Sequence, residues 1–411
     1  MAPHTRNAQR PTLLPAPTPS GGEQLTPRQI ASFRRALMAW YRAQARTLPW
    51  RGIHDPYRTW VSEIMLQQTR VAAVIERYNE FISRFPTVVA LALASEQQVL
   101  AAWSGLGYYR RARLLHRAAQ FLLAEREGQL PTTAAALRTL PGVGLYTSAA
   151  IASIAFGEPV AVVDGNVERV LLRVTGQAET PAAVQSRQLA ELAQQLIPAR
   201  WGNPAGDGRD NPPGNHNQAM MELGATLCLP RAPLCAACPV HSLCRTRGEH
   251  QTTPRAALRS KSAAYLLRLR KRGAMTEVLL YRRPADASLM AGMLELPPLH
   301  PEAVAEREPT LRLRHAITQT NYYVGIYAPR TMRDPALARA LQGNRDALAW
   351  FATSRLSQLP LTGLARKALR RLGVMSIGEV VLEADKPAGT RHAQVSRLQL
   401  GWEEEDFLDE L

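Results

Sequence analysis

All four cysteines of this 411-residue chain fall in one short stretch, Cys228, Cys235, Cys238 and Cys244, in the pattern C-x6-C-x2-C-x5-C. Thiols grouped this way serve one centre and commit the surrounding chain to a single pinned loop. Two disulfides are the alternative, but a chain this long needs no staples and no signal peptide precedes the cysteines. A structural zinc draws its ligands from two short C-x2-C knuckles, and only Cys235 and Cys238 make one. The wider gaps suit the larger span of a [4Fe-4S] cluster held by four thiolates; zinc is the second reading. Reduced thiols also place the chain in a reducing, cytoplasmic compartment.

The chain carries 50 Lys and Arg against 34 Asp and Glu, a formal charge of +16, which makes a polyanion its natural partner. Charge is also segregated. The run Tyr108-Tyr109-Arg110-Arg111-Ala112-Arg113 interleaves aromatics with bases, whereas Glu403 to Leu411 is acidic. No apolar run approaches the roughly 20 residues a bilayer span requires, so no membrane is expected. With 46% apolar residues there is enough material for two cores, and a monomer is expected.

Residues 1–22, with five prolines and two glycines, read as a disordered tail. From Pro27 to about Arg247 the apolar period is helical almost throughout. In Arg110 to Glu127, Leu114, Leu115, Ala118, Phe121 and Leu122 recur at three- and four-residue steps and predict one buried stripe. Gly202 to Gly214, with three prolines and four glycines, predicts an inserted surface loop. The expected division is a helical domain over 23–248, a linker over 249–262, an α+β domain over 263–384 and a low-order acidic tail over 385–411. In the α+β part, Ala264 to Leu269, Glu277 to Arg282 and Tyr322 to Tyr327 read as strands, and Thr362 to Leu372 as a helix.

Between two helical stretches, Thr133 to Thr139 and Tyr146 to Ala155, lies Leu140-Pro141-Gly142-Val143-Gly144-Leu145-Tyr146. Glycines flanking one apolar residue allow a tight turn whose amides face outward at the start of the second helix, where they can hold a phosphate. Gly142, Val143 and Gly144 thus read as the hairpin of a helix-hairpin-helix DNA-binding element. A lone G-V-G is weak evidence, since many helix connections need glycine. Basic charge and the cysteine cluster strengthen it.

Five further motifs follow in order: Leu48-Pro49-Trp50-Arg51, Ser62 to Thr69, Gly105-Leu106-Gly107-Tyr108-Tyr109, Val163-Asp164-Gly165-Asn166-Val167 and Asn217-Gln218-Ala219-Met220. In these the chain resembles the helix-hairpin-helix DNA glycosylase superfamily with its iron–sulfur cluster, and more finely the MutY-type adenine DNA glycosylases. The fold this implies is multi-domain: an all-α helix-hairpin-helix glycosylase domain with an iron–sulfur loop, plus an α+β Nudix-like domain. The activity implied is monofunctional removal of adenine mispaired with 8-oxoguanine or guanine in double-stranded DNA, as in base excision repair.

Glu63 has the apolar neighbours Ile64, Met65 and Leu66, a setting in which a carboxyl can keep a proton and deliver it to a leaving group. An ordinary solvated glutamate is the bland alternative. The resemblance makes Glu63 the acid that protonates N7 of an extruded adenine. Asp164 precedes a helix over Val167 to Val174, so by itself it reads as an N-cap. Loss of the base leaves positive charge on the sugar, and the resemblance gives Asp164 the task of stabilising it, with Asn166 and Tyr146 positioning it and the water. Both carboxylates must then flank one sugar–base bond. In related glycosylase/lyases a lysine stands where this chain has Tyr146, so no amine is there to form a Schiff base and no efficient lyase step is expected.

An extruded nucleotide leaves a gap to fill. The resemblance assigns Gln68 and Tyr108 to that wedge and Trp50, Arg51 and Gln218 to the adenine pocket. The cysteines would pin the loop from Leu229 to Leu234 and present Arg231 to the DNA backbone. Ala291 to Pro297 matches the glycine-led strand segment of a Nudix-like domain, but the run of paired glutamates of working Nudix hydrolases does not follow, which argues against pyrophosphohydrolase activity. Where relatives carry Phe-Ser-His against 8-oxoguanine, this chain has Thr318 and Gln319, a hydroxyl and an amide. Two rival functions stay open: a thymine mismatch glycosylase, and an iron–sulfur DNA-binding module without catalysis.

Overall fold

A computed structural model describes residues 25–53, 55–180, 187–199, 211–250, 259–305, 307–317, 320–328 and 345–375. The expected disordered tail, the acidic tail, Thr318 and Gln319 lie outside the described residues. The chain divides into two units that interleave in sequence: residues 1–46 with 152–253, and residues 47–151 with 254–411. The expected helical domain over 23–248 is therefore shared between both.

The first unit opens with α1 (Pro27–Gln44), started by Thr26 and Gln29 in a reciprocal capping box with Pro27 at its first position. It contains the end of α8 (Leu145–Phe156), then α9 (Gly165–Thr175), α10 (Arg187–Leu196) and α11 (Pro212–Thr226). Phe33, Leu37, Val170, Leu171, Leu196 and Leu223 form its core, and Cys228, Cys238 and Leu243 pack against that core. The cysteine loop is thus anchored on the helices by apolar contact before any cofactor is considered.

Residues 212–214 were expected in a surface loop and instead form the first turn of α11. Asn211 caps it by accepting from the Gly214 amide at 3.0 Å, and proline is at home in a first turn, where its missing N–H costs nothing. Gly214 is needed for another reason: a Cβ there would lie 2.7 Å from the Ser153 carbonyl oxygen.

The second unit contains α2 (Pro56–Leu66), α3 (Val71–Arg84), α4 (Val88–Leu93), α5 (Glu96–Ala102), α6 (Arg110–Arg126), α7 (Ala134–Leu137) and the start of α8. On α6, Ala112, Leu115, Ala118, Ala119 and Leu122 are buried while Phe121 is 38% exposed. The expected stripe is corrected accordingly: 100° per residue carries Phe121 off the line through 115, 118 and 122.

The described residues of this unit also include eight strands: β1 (Arg259–Leu266), β2 (Leu269–Arg272), β3 (Met275–Arg282), β4 (Leu294–Glu295), β5 (Pro298–Leu299), β6 (Leu311–Ile317), β7 (Thr320–Tyr327) and β8 (Leu348–Ala352). They form one sheet in the order β5-β1-β7-β6 and a second built on β3, which pairs with β2, β4 and β8. β1 begins inside the expected linker, because Arg259 to Ser262 pair in parallel with Thr320 to Tyr323, a partner no local pattern reveals. Of the expected segment Ala291 to Pro297, only Leu294 and Glu295 are strand. Helix α12 (Gly363–Arg371) lies one residue inside the predicted span at each end, capped by Thr362.

Candidate active site and cysteine loop

Glu63 sits on α2, which Asp55 starts by accepting from the amides of Tyr57 and Arg58. It is 5% exposed, and its helix neighbours Trp60, Val61, Ile64 and Met65 are buried as well. The hydroxyl of Tyr146 donates to Glu63 Oε2 at 2.6 Å. That bond fixes the direction of a carboxyl sheltered from bulk water, as an acid aimed at one leaving group requires. Tyr146 reaches it from the second residue of α8, directly after the glycine hairpin.

The hairpin is built for that turn. Gly142 has φ +76°, and a Cβ on it would come within 2.7 Å of Leu114 Cβ on α6. Val143 is buried and donates its amide to the Leu140 carbonyl at 3.1 Å, while Gly144 and Leu145 are exposed at the start of α8. Exposed backbone at a helix N-terminus is where a phosphate can be held.

In the first unit Asp164 is the N-cap of α9. Its Oδ1 accepts from the amides of Asn166 and Val167 at 3.0 and 2.8 Å, and Oδ2 accepts from the Asn166 side-chain amide at 3.0 Å. Asn166 in turn accepts from Arg169 at 2.9 Å, so the carboxylate is held by donors through both oxygens. α11 presses on this turn, because a Cβ on Gly224 would meet Asn166 Cβ at 2.6 Å.

The remaining predicted residues divide by environment. Gln68 is exposed and Tyr108 is 47% exposed, both with left-handed backbone, φ 53° and 46°. Trp50 is buried, edge-on to Tyr78 with ring centroids 5.3 Å apart, and Arg51 is half-buried. Gln218 accepts from the Tyr41 hydroxyl at 2.9 Å. Its neighbour Asn217 is committed to structure, accepting from the Val162 amide and donating to Ser153 Oγ and the Val160 carbonyl. The aromatic and basic run 108–113 is not one open face: Tyr109 is buried, Arg111 points inward, and Arg113 binds Glu96 at 2.9 Å and the Ala291 carbonyl at 2.7 Å. Two partnerships escaped sequence reasoning. Arg46 pairs with the buried Glu222 through two bonds of 2.7 Å, and Arg111 binds backbone carbonyls; neither pairing has a local spacing signal.

All four cysteines are free thiols and line one cavity together with Arg173, Pro233, His241 and Arg247. Burial first, then the charge of the other thiolates, pushes the Cys235 thiol up and that of Cys238 up to about 11. The charge of Arg173 opposes the shift at Cys235; its guanidinium also donates toward Cys228 Sγ at 3.4 Å, and Arg169 holds the Cys228 carbonyl at 2.8 Å. Among the described residues no group of three His, Cys, Asp or Glu side chains is placed to hold a single metal ion, which needs thiolates within about 2.3 Å of one point. Four soft donors around one cavity fit a larger iron–sulfur centre, whose positive irons would compensate thiolates that the protein alone disfavours. Arg231 is exposed on the loop that Leu234 closes by donating to the Leu227 carbonyl at 2.9 Å.

Residues 61–195 match the HhH-GPD superfamily of base excision DNA repair proteins. The chain is 48% identical over 230 residues to the human adenine DNA glycosylase, covering 53% of this chain and 40% of that one. It is 40% identical over 233 residues to the adenine DNA glycosylase of Mycobacterium tuberculosis, covering 56% of this chain and 70% of that one. A solved thermostable thymine-DNA glycosylase is 27% identical with a TM-score of 0.46, covering 54% of this chain and 97% of that one. The chain spans about 40% of the length of the mammalian relatives it matches. No helix among the described residues is long and apolar enough to cross a membrane. With 70% of the mycobacterial relative covered at 40% identity, the chain belongs to the adenine DNA glycosylases of the HhH-GPD superfamily.

Proposed function

We propose that this chain is a monofunctional adenine DNA glycosylase that hydrolyses the N-glycosidic bond of adenine mispaired with 8-oxoguanine or guanine in double-stranded DNA, leaving an abasic site. The observation that carries this reading is the buried Glu63 carboxyl bonded to the Tyr146 hydroxyl, in a chain up to 48% identical to proteins named adenine DNA glycosylase. Glu63 delivers a proton to N7 of the extruded base, which makes adenine a leaving group. Asp164, held ready by Asn166, faces the positive charge that grows on the sugar, and water completes the hydrolysis. A tyrosine, not a lysine, stands beside Glu63, so no side-chain amine forms a Schiff base there.

Gly142, Val143 and Gly144 take a DNA phosphate on their amides, Gln68 and Tyr108 fill the emptied stack, and Trp50, Arg51 and Gln218 shape the adenine pocket. Cys228, Cys235, Cys238 and Cys244 hold a [4Fe-4S] cluster, which supplies structural rigidity when bound and presents Arg231 to the backbone. The sheet-bearing region is a Nudix-like reader of the opposing base, with Thr318 and Gln319 its contacts. A monomer acting on cytoplasmic DNA meets every requirement of this scheme.

The deciding experiment is alkali-revealed cleavage of duplexes that carry adenine opposite 8-oxoguanine, guanine, cytosine and thymine, with a thymine–guanine duplex alongside. Excision concentrated on the first two pairs is expected, and Glu63→Gln should lose about 100-fold or more in single-turnover rate. Release of thymine, or full activity in Glu63→Gln, would overturn the assignment. Rapid borohydride-trapped cross-linking would overturn its monofunctional character.

A further inference from the structure

Arg111 stands on the first turn of α6, next to the base-and-aromatic run but turned inward. Its Nη1 donates to the carbonyls of Ile64 at 2.8 Å, Met65 at 3.1 Å and Gln67 at a shorter distance still. Its Nη2 donates to Thr69 Oγ1 at 3.0 Å and to the carbonyls of Leu106 and Gly107, each at 3.3 Å. The guanidinium also lies 5.5 Å from the ring centroids of both Trp103 and Tyr108. Its partners are carbonyls and a hydroxyl, not a carboxylate, and burial pushes its pKa down to about 10. A half-buried cation that joins the 64–69 and 106–107 stretches of backbone without a carboxylate partner is costly to keep unless it holds something in place.

What it holds can be named. Gln68 and Tyr108 are both non-glycine residues in left-handed backbone, with φ 53° and 46°. Such a conformation persists only where its surroundings over-determine it. The angle φ turns the peptide that precedes a residue, and Arg111 grips the preceding carbonyl in both cases: that of Gln67 before Gln68 and that of Gly107 before Tyr108. Two more of the carbonyls it binds, those of Ile64 and Met65, lie in the last turn of the helix that carries Glu63.

We infer that Arg111 is a positioning residue that locks the Gln68 and Tyr108 turns into one rigid wedge, in register with the helix of Glu63. This rests on the proposed glycosylase reading. Arginine is required because its planar fork reaches both turns at once, whereas the compact ammonium of lysine satisfies one. Its effect belongs to extrusion of the base, before any bond is broken.

The test uses the full chain with its cysteine centre loaded, comparing wild type with Arg111→Lys. Duplexes carrying 2-aminopurine at the target position report extrusion by fluorescence, and single-turnover excision is followed on adenine opposite guanine and on adenine opposite an abasic site, where no base pair remains to be broken. Arg111→Lys should melt within a few degrees of wild type and keep the salt dependence of duplex binding, while extrusion and mispair excision slow by about 100-fold. On the abasic duplex the deficit should shrink to about fivefold or less. In a Tyr108→Ala background the lysine substitution should add little, since both changes disable the same wedge. Wild-type extrusion by Arg111→Lys, or an equal excision deficit on both duplexes, overturns the proposal. If wild type extrudes the base without excising adenine, the catalytic reading fails and the positioning role stands; if wild type does not extrude it, both fail.

Discussion

Asp164 caps α9 with one carboxylate oxygen and is bonded to Asn166 through the other, so in the proposed mechanism stability and chemistry meet in one side chain. Asparagine caps a helix about as well as aspartate but cannot stabilise a cation. Asp164→Asn should therefore stay within about 0.5 kcal/mol of wild type in urea denaturation yet lose excision, whereas Asp164→Ala should lose both, with about 1 kcal/mol of stability. Excision by Asp164→Asn equal to that of wild type would leave Asp164 a cap and nothing more. His216 supplies a different signature. Buried on α11, it is pushed down to about 3 by desolvation, with Arg34 adding to the effect. As pH falls below 6.5 the unfolded chain takes up a proton here that the folded chain refuses until about pH 3. Stability at this residue is full above about pH 6.5 and falls as pH drops, by up to roughly 4 kcal/mol near pH 3. His216→Gln should flatten the stability curve between about pH 4 and 6.5; an unchanged slope would show that the imidazole does not contribute.

Among the elements, the turn from α7 into α8 is the most tightly specified. Gly142 combines φ +76° with a missing Cβ that would press on Leu114, so alanine meets both backbone strain and a clash. Gly142→Ala should cost about 2 kcal/mol in denaturant unfolding and weaken DNA binding, because α8 and Tyr146 follow directly from that turn. This element was readable from its sequence, since two glycines around one apolar residue leave few alternatives. Helix α11 was harder. Its proline-rich start looks like a loop until Asn211 is recognised as a cap, and Asn217, which sits in a motif associated with the adenine pocket, turns out to hold the Val160 to Val162 backbone. The Tyr108 to Arg113 run, which interleaves aromatics with bases in the sequence, is divided by helical rotation, which sends Arg111 inward.

Across the molecule, the chain passes between its two units after Arg46, Ile151 and Thr253, so neither is a continuous stretch of sequence. In the second unit the sheet-bearing region meets the α5–α6 turn through buried polar atoms. Ser104 donates to the Leu361 carbonyl at 2.7 Å and accepts from Arg366 at 2.9 Å, and the Tyr109 hydroxyl donates to the same carbonyl at 3.1 Å. Ser104→Ala removes only the hydroxyl and strips both bonds, leaving the Arg366 guanidinium short of an acceptor. It should destabilise the protein by about 2 kcal/mol in denaturant, and a neutral result would mean that this junction contributes little. This contact lies beside the Tyr108 turn, which gives the sheet-bearing region a physical connection to the proposed wedge. Short spacings were enough to locate the cysteines, the hairpin and the cap at Asp164, because each depends on a few neighbouring residues and the geometry of one turn, whereas Glu63 was singled out only by the family resemblance. The hydroxyl that orients Glu63, the carbonyls that Arg111 gathers, the strand partner of Arg259 to Ser262 and the loss of Asn217 to structure became visible only in the folded chain, because their partners lie tens of residues away and are selected by packing.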